Sequence, residues 1–311
     1  MWFQILLIVA GVTLVLWGAD RLTDGAVALA ERIKIPQIVI GLTIVAMGTS
    51  APEFCVSLVS ALKGTADLAV GNVVGSNIFN TLLIVGAAAM VSPMTILPST
   101  VKKDIPIAVL SSILLTVMVL TDGDLSRLDA AILMVGFLAF MWFTLRGAKG
   151  KADEEPTAPK NLSVAKSLLL LVIGLACLVV GSNIFVNGAS EVAQQLGVSE
   201  AVIGLTVVAG GTSLPELATS VVAARKGNSG IAIGNVLGSN VFNILLILGG
   251  AGLICPMQVE GITLVDFSML TGSILLLWLF SNTKLTIARW EGAVLAVLFL
   301  AYLTWLIMGA I

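Results

Sequence analysis

Residues 41–53 read Gly41-Leu-Thr-Ile-Val-Ala-Met-Gly-Thr-Ser-Ala-Pro-Glu53. A closely similar stretch occurs later in the chain, Gly204-Leu-Thr-Val-Val-Ala-Gly-Gly-Thr-Ser-Leu-Pro-Glu216. Both stretches lie within apolar segments long enough to cross a bilayer. A carboxylate in hydrocarbon is costly unless it is paired, hydrated or bound to a cation, and neither stretch contains a basic residue. The duplication therefore predicts one cation site, shared by Glu53 and Glu216, inside a membrane protein.

The composition predicts an all-α polytopic membrane protein. Of the 311 residues, 58% are hydrophobic and only 11% are charged. The apolar runs show no period-two alternation, which disfavours a β-barrel. At about 20 residues per crossing, the chain accommodates about ten helices. The predicted spans are residues 3–31, 37–62, 67–91, 105–121, 127–145, 166–195, 200–224, 229–253, 265–281 and 289–309.

The basic residues predict the orientation of these spans. Of the 16 Lys and Arg residues, 13 fall in loops on one side, 2 fall on the other, and Arg21 lies inside the first span. The positive-inside rule then places both termini outside the cytoplasm and the polar linker, residues 146–165, within it. The short linker favours a prokaryotic inner or plasma membrane.

The two halves, residues 1–145 and 166–311, read as copies of each other. At a constant offset of 163 residues, 28 of the 46 positions in Gly41–Gly86 are identical to those in Gly204–Gly249. An odd number of spans in each half makes the second copy enter the membrane from the opposite side. The chain is therefore predicted to contain two inverted five-helix repeats, with the substrate site near the midplane between them.

The same offset extends into the first span. There a charge cluster, Asp20, Arg21, Asp24 and Glu31, corresponds to a segment in which Asn183 and Asn187 replace the two aspartates. A structural role is favoured for this cluster.

Each Gly-Thr-Ser-x-Pro-Glu segment predicts an interrupted helix. Pro52 and Pro215 lack a backbone N–H, so the carbonyls four residues upstream, on Gly48 and Gly211, lose their helical partners. Broken backbone at membrane depth is tolerated where it is buried in protein or lines a cavity. Freed carbonyls at such a break are available to cations.

A second duplicated segment adds neutral oxygen ligands. It reads Gly71-Asn-Val-Val-Gly-Ser-Asn-Ile-Phe-Asn80, and its copy reads Gly234-Asn-Val-Leu-Gly-Ser-Asn-Val-Phe-Asn243. The serine and the last asparagine of each copy are four residues apart and share one helical face. Carboxylate, hydroxyl and amide oxygens suit Ca²⁺ and Na⁺. For the glycines and for Asn72 and Asn235, close helix packing is an equal alternative.

These paired motifs resemble those of the cation/calcium exchanger superfamily, and within it the compact prokaryotic sodium/calcium exchangers. The resemblance covers the whole chain, and both copies of the motif are complete. It implies that long first and sixth helices slide to give alternating access, and that Asn80 and Asn243 complete the polar centre, where some relatives carry an aspartate. The implied calcium ligands are Glu53, Glu216 and the backbone at Thr49 and Thr212; the implied sodium ligands are Ser50, Ser76, Ser213, Ser239, the carbonyls of Ala46 and Ala209, and the same two glutamates.

The resulting expectation is a secondary antiporter that exchanges Na⁺ for Ca²⁺, with these two ions as substrates and the lipid bilayer as the surroundings. A proton/calcium antiporter using the same glutamates and an ion channel are the alternatives. An enzyme is disfavoured, because the chain has no histidine and no HExxH or GxSxG motif. We expect no cofactor, no nucleic-acid ligand and no obligate protein partner.

Overall fold

The computed structural model describes residues 2–147, 162–197, 207 and 209–310. Within these residues the chain is almost entirely helical. In chain order the helices are α1 Trp2–Ile33, α2 Gln37–Thr49, α3 Ala51–Leu62, α4 Ala66–Val91, α5 Thr100–Asp122, α6 Arg127–Gly147, α7 Val164–Gln195, α8 Ala209–Thr212, α9 Leu214–Arg225, α10 Ser229–Ile254, α11 Leu264–Lys284 and α12 Arg289–Ala310. Four two-residue strands are β1 Met94–Thr95, β2 Asp124–Leu125, β3 Met257–Gln258 and β4 Thr286–Ile287.

The described helices agree with the predicted spans. Eight are long and apolar enough to cross a membrane, and the bent pair α2 and α3 makes a ninth if it counts as one span. The predicted span 200–224 lies partly outside the described residues, which include its second part as α8 and α9. Most of the predicted linker, 146–165, also lies outside them.

Helix α5 begins earlier than predicted. The predicted span starts at residue 105, which leaves Lys102 and Lys103 in the preceding loop. The helix begins instead at Thr100 with a π-helical turn. Lys102 is exposed, and the Nζ of Lys103 donates to the carbonyl of Phe143 at 3.0 Å. Lys103 therefore reaches a polar partner without ending the helix.

The helices form an inner and an outer group. In the most apolar stretches of α4 and α10, 72% and 94% of the residues are buried. In the corresponding stretches of α1, α6, α7 and α12, the share of buried residues is 22% to 28%. Large side chains such as Val135, Val172 and Val297 are exposed on the outer group. This distribution is the one expected when the outer helices face lipid and the inner pair carries the polar residues.

The two longest helices, α1 and α7, pack against each other through glycines. Glycines recur every seven residues on both, and a Cβ built on Gly174 would lie 2.6 Å from the backbone N of Leu22. Conversely, a Cβ on Gly18 would lie 2.8 Å from the carbonyl oxygen of Gly174. Close approach of the two backbones therefore requires glycine. The recurring positions are Gly11, Gly18 and Gly25 on α1, and Gly174, Gly181 and Gly188 on α7, which match one for one at the offset of 163.

Two short strand pairs connect the halves of the chain. Strand β1 pairs with β4 and β2 pairs with β3, both antiparallel, with Met94 opposite Ile287 and Asp124 opposite Gln258. Each pair takes one strand from each half. The all-α prediction did not include these strands, because two residues are too few to produce a recognisable pattern.

Replacing Gly174 with Val should destabilise the protein by about 1–3 kcal/mol, because the added side chain overlaps the α1 backbone. The matched control is Gly272→Val, because a Cβ on Gly272 of α11 meets nothing within 4 Å. Thermal unfolding in detergent, followed by tryptophan fluorescence, measures both. Equal unfolding temperatures for the two variants would contradict the packing described here.

Candidate cation site

The two Gly-Thr-Ser-x-Pro-Glu segments are both interrupted at their serine. Ser50 separates α2 from α3 with φ −80° and ψ 7°, and the two helices meet at an angle of 50°. Ser213 separates α8 from α9 with φ −89° and ψ 7°. Each proline then lies in the first turn of the following helix, where its missing N–H has no cost. The predicted interruptions are confirmed in the described residues.

Each glutamate accepts a hydrogen bond from the serine of the other half. Ser213 donates to Oε1 of Glu53 at 2.8 Å, and Ser50 donates to Oε1 of Glu216 at 3.1 Å. Both glutamates are 1% exposed, and Ser76 Oγ lies 3.3 Å from Ser213 Oγ. The two carboxylates thus belong to one site at the junction of the halves. They also lie in the first turn of a helix, where the helix dipole favours negative charge.

The first asparagine of each copy of the second motif donates hydrogen bonds to the helix that follows an interruption, α3 in the first half and α9 in the second. The Nδ2 of Asn72 donates to the backbone carbonyl of Glu53 at 3.2 Å and to Ser57 Oγ at 2.9 Å. In the other half, the Nδ2 of Asn235 donates to the carbonyl of Glu216 at 3.3 Å and to a serine hydroxyl, on Ser220, at 3.0 Å. For both asparagines the amide nitrogen therefore has a structural role, one of the two alternatives that the sequence left open.

A second crossed pair of hydrogen bonds orients the central amides. The Nδ2 of Asn80 donates to Oδ1 of Asn240 at 3.2 Å, and the Nδ2 of Asn243 donates to Oδ1 of Asn77 at 3.0 Å. Asn80 and Asn243 lie on π-helical turns of α4 and α10. Such turns are frequent at functional sites because they shift side chains out of the regular helical register. Since each NH₂ group faces the other half, each Oδ1 is left as a free acceptor.

Five buried polar atoms of this region have no hydrogen-bond partner within the described part of the chain. They are Oε2 of Glu53, Oε2 of Glu216, Oδ1 of Asn80, Oδ1 of Asn243 and Oγ of Ser239. Four of the five can only accept, if the carboxylates are ionised, and they form two pairs at the repeat offset. Unpartnered buried acceptors are rare and costly. A set of carboxylate and amide oxygens without donors has the chemistry of a site for a hard cation such as Ca²⁺.

The other predicted ligands lie next to the two helix interruptions, Ala46 and Thr49 in the first half and Ala209 and Thr212 in the second. Thr49 is buried, with Oγ1 3.0 Å from Oδ1 of Asn235, and the carbonyl of Ala46 accepts from the backbone N–H of Ser50 at 3.0 Å. In the second half, Thr212 ends α8 and is partly exposed, and Ala209 begins α8, although its side chain lies outside the described residues.

A cavity of about 230 Å³ between Met47, Phe54 and Phe242 reaches Ser50.

The sequence predicted the two glutamates, the serines and the central amides. The structure brings Ser50 into contact with Glu216, and Ser213 into contact with both Glu53 and Ser76. The sequence did not identify Asn77 and Asn240 as the groups that hold the central amides. Their signal was present in the duplicated Gly-Ser-Asn, but the partner across the halves is visible only in three dimensions.

Interrupted helices, two buried carboxylates and duplicated motifs are typical of a membrane transporter. A profile of the sodium/calcium exchanger protein family matches residues 3–146 and 166–308. The chain belongs to this family. It is a cation/Ca²⁺ exchanger of the family and an integral membrane protein, and not an enzyme.

The similarity extends over whole chains. The putative antiporter CaxA of Alkalimonas amylolytica is 37% identical, over 95% of this chain and 96% of its own. The inner membrane protein YrbG of Escherichia coli strain K12 is 38% identical, over 96% of each chain. The sodium/calcium exchanger MaX1 of Methanosarcina acetivorans is 34% identical, over 96% of this chain and 97% of its own.

Solved structures are also similar. The sodium-calcium exchanger NCX_Mj soaked with 2.5 mM Na⁺ and 0.1 mM Ca²⁺ matches with a TM-score of 0.85 and 32% identity, over 97% of this chain and 98% of its own. The same exchanger soaked with 10 mM Na⁺ and 10 mM Sr²⁺ gives the same score over 97% of both chains.

Replacing Asn240 with Ala should weaken Ca²⁺ binding, because the amide of Asn80 then loses its acceptor and its oxygen is no longer oriented. An unmade buried hydrogen bond costs about 1–3 kcal/mol. The measurement is the rise in unfolding temperature that CaCl₂ produces. The control is Asn282→Ala, since exposed Asn282 bonds to the carbonyl of Trp278 on its own helix. A full calcium-dependent rise in the Asn240 variant would contradict the orienting role.

Proposed function

We propose that the chain is an antiporter that exchanges Na⁺ for Ca²⁺ by alternating access. The observation that carries the proposal is the crossed pair of serine and glutamate contacts, which leaves one oxygen of each buried carboxylate without a donor. Two carboxylates balance the charge of one Ca²⁺ ion or of two Na⁺ ions. The family membership and the likeness to NCX_Mj support the same reading.

In this proposal the two kinds of ion use overlapping ligands. Ca²⁺ is bound by Glu53, Glu216 and the backbone at Thr49 and Thr212, and Asn80 and Asn243 complete the polar centre. Burial of both glutamates and of both central amides supports a site that excludes bulk water. The proposed sodium ligands are Ser50, Ser76, Ser213, Ser239, the carbonyls of Ala46 and Ala209, and the shared Glu53 and Glu216.

We further propose ten membrane helices in two inverted five-helix repeats, residues 1–145 and 166–311, joined by a cytoplasmic linker, 146–165. Both termini then lie outside the cytoplasm, in a prokaryotic inner or plasma membrane. The matched glycine positions on α1 and α7 and the crossed hydrogen bonds at the site support the repeat. The strand pairs between the halves and the basic loops support the arrangement.

Exchange follows from the shared ligands. The free energy of two ionised carboxylates buried together is high, so the site changes orientation readily only when cations neutralise it. Na⁺ and Ca²⁺ compete for Glu53 and Glu216, and one ion must leave before the other is bound. Coupling therefore needs no separate regulatory site.

The second candidate is a proton/calcium antiporter. The carboxylates of Glu53 and Glu216 could be neutralised by protons as well as by sodium, and the names of CaxA and YrbG do not state a coupling ion. The hydroxyl groups of Ser50 and Ser213 at the carboxylates favour sodium, because a proton needs no additional oxygen ligands.

Uptake of ⁴⁵Ca²⁺ into proteoliposomes should be driven by an outward sodium gradient at equal pH on both sides. An outward proton gradient without sodium should drive much less uptake. Uptake driven by the pH gradient alone would instead establish the proton antiporter. Choline replaces sodium in the control vesicles.

Replacing Glu216 with Gln should abolish exchange, because the amide preserves the shape of the side chain and removes one of the two charges that balance Ca²⁺. We expect the initial rate to fall at least about 100-fold, as for loss of a charged ligand worth roughly 3 kcal/mol. Glu260→Gln is the control, since Glu260 is exposed in the segment before α11. Persistent transport by the Glu216 variant would refute the site.

A further inference from the structure

An ion-pair cluster joins α1 to the end of α9, away from the cation site. The Nζ of Lys226 lies 2.5 Å from Oδ1 of Asp20 and 2.7 Å from Oδ1 of Asp24. It also donates to the backbone carbonyl of Asp20 at 3.2 Å. Lys226 caps the C-terminus of α9, whose first turn carries Glu216. One ammonium group thus ties the first helix to a helix of the site.

The equivalent positions in the other half keep the lysine and lack the two acidic residues. At the offset of 163 residues, Lys226 corresponds to Lys63, which caps the C-terminus of α3. The two aspartates correspond to Asn183 and Asn187 on α7, both exposed. The amide of Asn183 donates to the carbonyl of Val179 on its own helix at 2.9 Å. A lysine is therefore present at both ends of the molecule, but its acidic partners are present at one.

The helix packing has the same asymmetry. Helix α1 packs along α9, and the ion pairs of Lys226 lie at this contact. Helix α7 has no comparable packing with α3. All four helices lie within the described residues. The structure is therefore closed at the Lys226 end, and the equivalent closure at the Lys63 end is not formed.

We propose that Asp20, Asp24 and Lys226 form an electrostatic latch that favours the orientation closed at the Lys226 end. The proposal rests on the alternating access proposed above. Two inverted repeats of identical sequence would make the two orientations equal in free energy, so a contact that only one orientation forms sets their ratio. On the proposed topology the latch closes the cytoplasmic side.

Other charged groups at the cluster are consistent with this role. Arg21 lies 3.5 Å from Oδ2 of Asp20 and stacks over the ring of Trp17, with 5.5 Å to the centroid. Because Arg21 lies on α1 itself, it moves together with Asp20. The side chains of Lys226, Asp20 and Asp24 are 27%, 36% and 18% exposed, so solvent screens the pairs and the latch biases the equilibrium without fixing it.

The first test is the sidedness of transport. In oriented proteoliposomes, Lys226→Gln should lower the apparent KM for Ca²⁺ at the Lys226 end and raise it at the other, because apparent affinity scales with the fraction of the protein open to that side. We expect a ratio change of about two- to fivefold, the range for partly exposed ion pairs. Lys226→Arg should retain the wild-type ratio. The double variant Asn183→Asp/Asn187→Asp, which places acids opposite Lys63, should shift the ratio in the same direction as Lys226→Gln, because closure at the Lys63 end also favours the orientation open at the Lys226 end.

The second test does not depend on transport. In calcium-free detergent, backbone hydrogen exchange in the C-terminal part of α9 and in residues 226–228 should be about two- to fivefold faster in Lys226→Gln than in the wild type. It should be unchanged in Lys226→Arg. Unchanged exchange in Lys226→Gln, or equal acceleration in both variants, would overturn the latch. Absence of calcium flux in the wild type would overturn the proposed function, and the exchange measurement would still decide the latch.

Discussion

The fold depends on two carboxylates, on Glu53 and Glu216, that are buried at one point of a helical membrane protein. Each receives a hydroxyl hydrogen bond from the opposite half of the chain, through Ser213 and Ser50. Neither half can therefore complete the site alone. Charge buried in a low-dielectric interior is costly unless it is compensated, and the two halves supply hydroxyl donors to each other's carboxylate at this point.

Several unusual features of the backbone follow from that requirement. The interruptions at Ser50 and Ser213 start new helices immediately before the glutamates, so the carboxylates lie at helix N-termini. The π-helical turns at Asn80 and Asn243 project amide oxygens from helices that otherwise pack regularly. The inner helices carry these polar groups, and the outer helices separate them from the surroundings. Four interruptions of regular α-helix, at Ser50, Ser213, Asn80 and Asn243, thus coincide with residues of the candidate site.

The spans, their interruption and the two glutamates could be predicted because each has a local cause: apolar length, a proline and an unpaired acid. The contacts of Asn77 and Asn240 could not, since they join residues about 160 positions apart and depend on which faces of α4 and α10 meet. The start of α5 was missed because Lys103 reaches a carbonyl on α6. The cluster at Asp20 was read as local to α1, and its lysine partner lies 206 residues away in sequence.

Symmetry and its loss have different physical roles in this molecule. At the candidate cation site, the crossed serine-glutamate hydrogen bonds are nearly equivalent in the two halves, so both halves present similar groups to it. At the ends of α3 and α9, the charges differ, and only the contact of α1 with Lys226 is reinforced. Two orientations that share one site differ little in free energy, so partly exposed ion pairs of modest strength are sufficient to change their ratio. Binding and bias can therefore change independently, because they depend on separate residues.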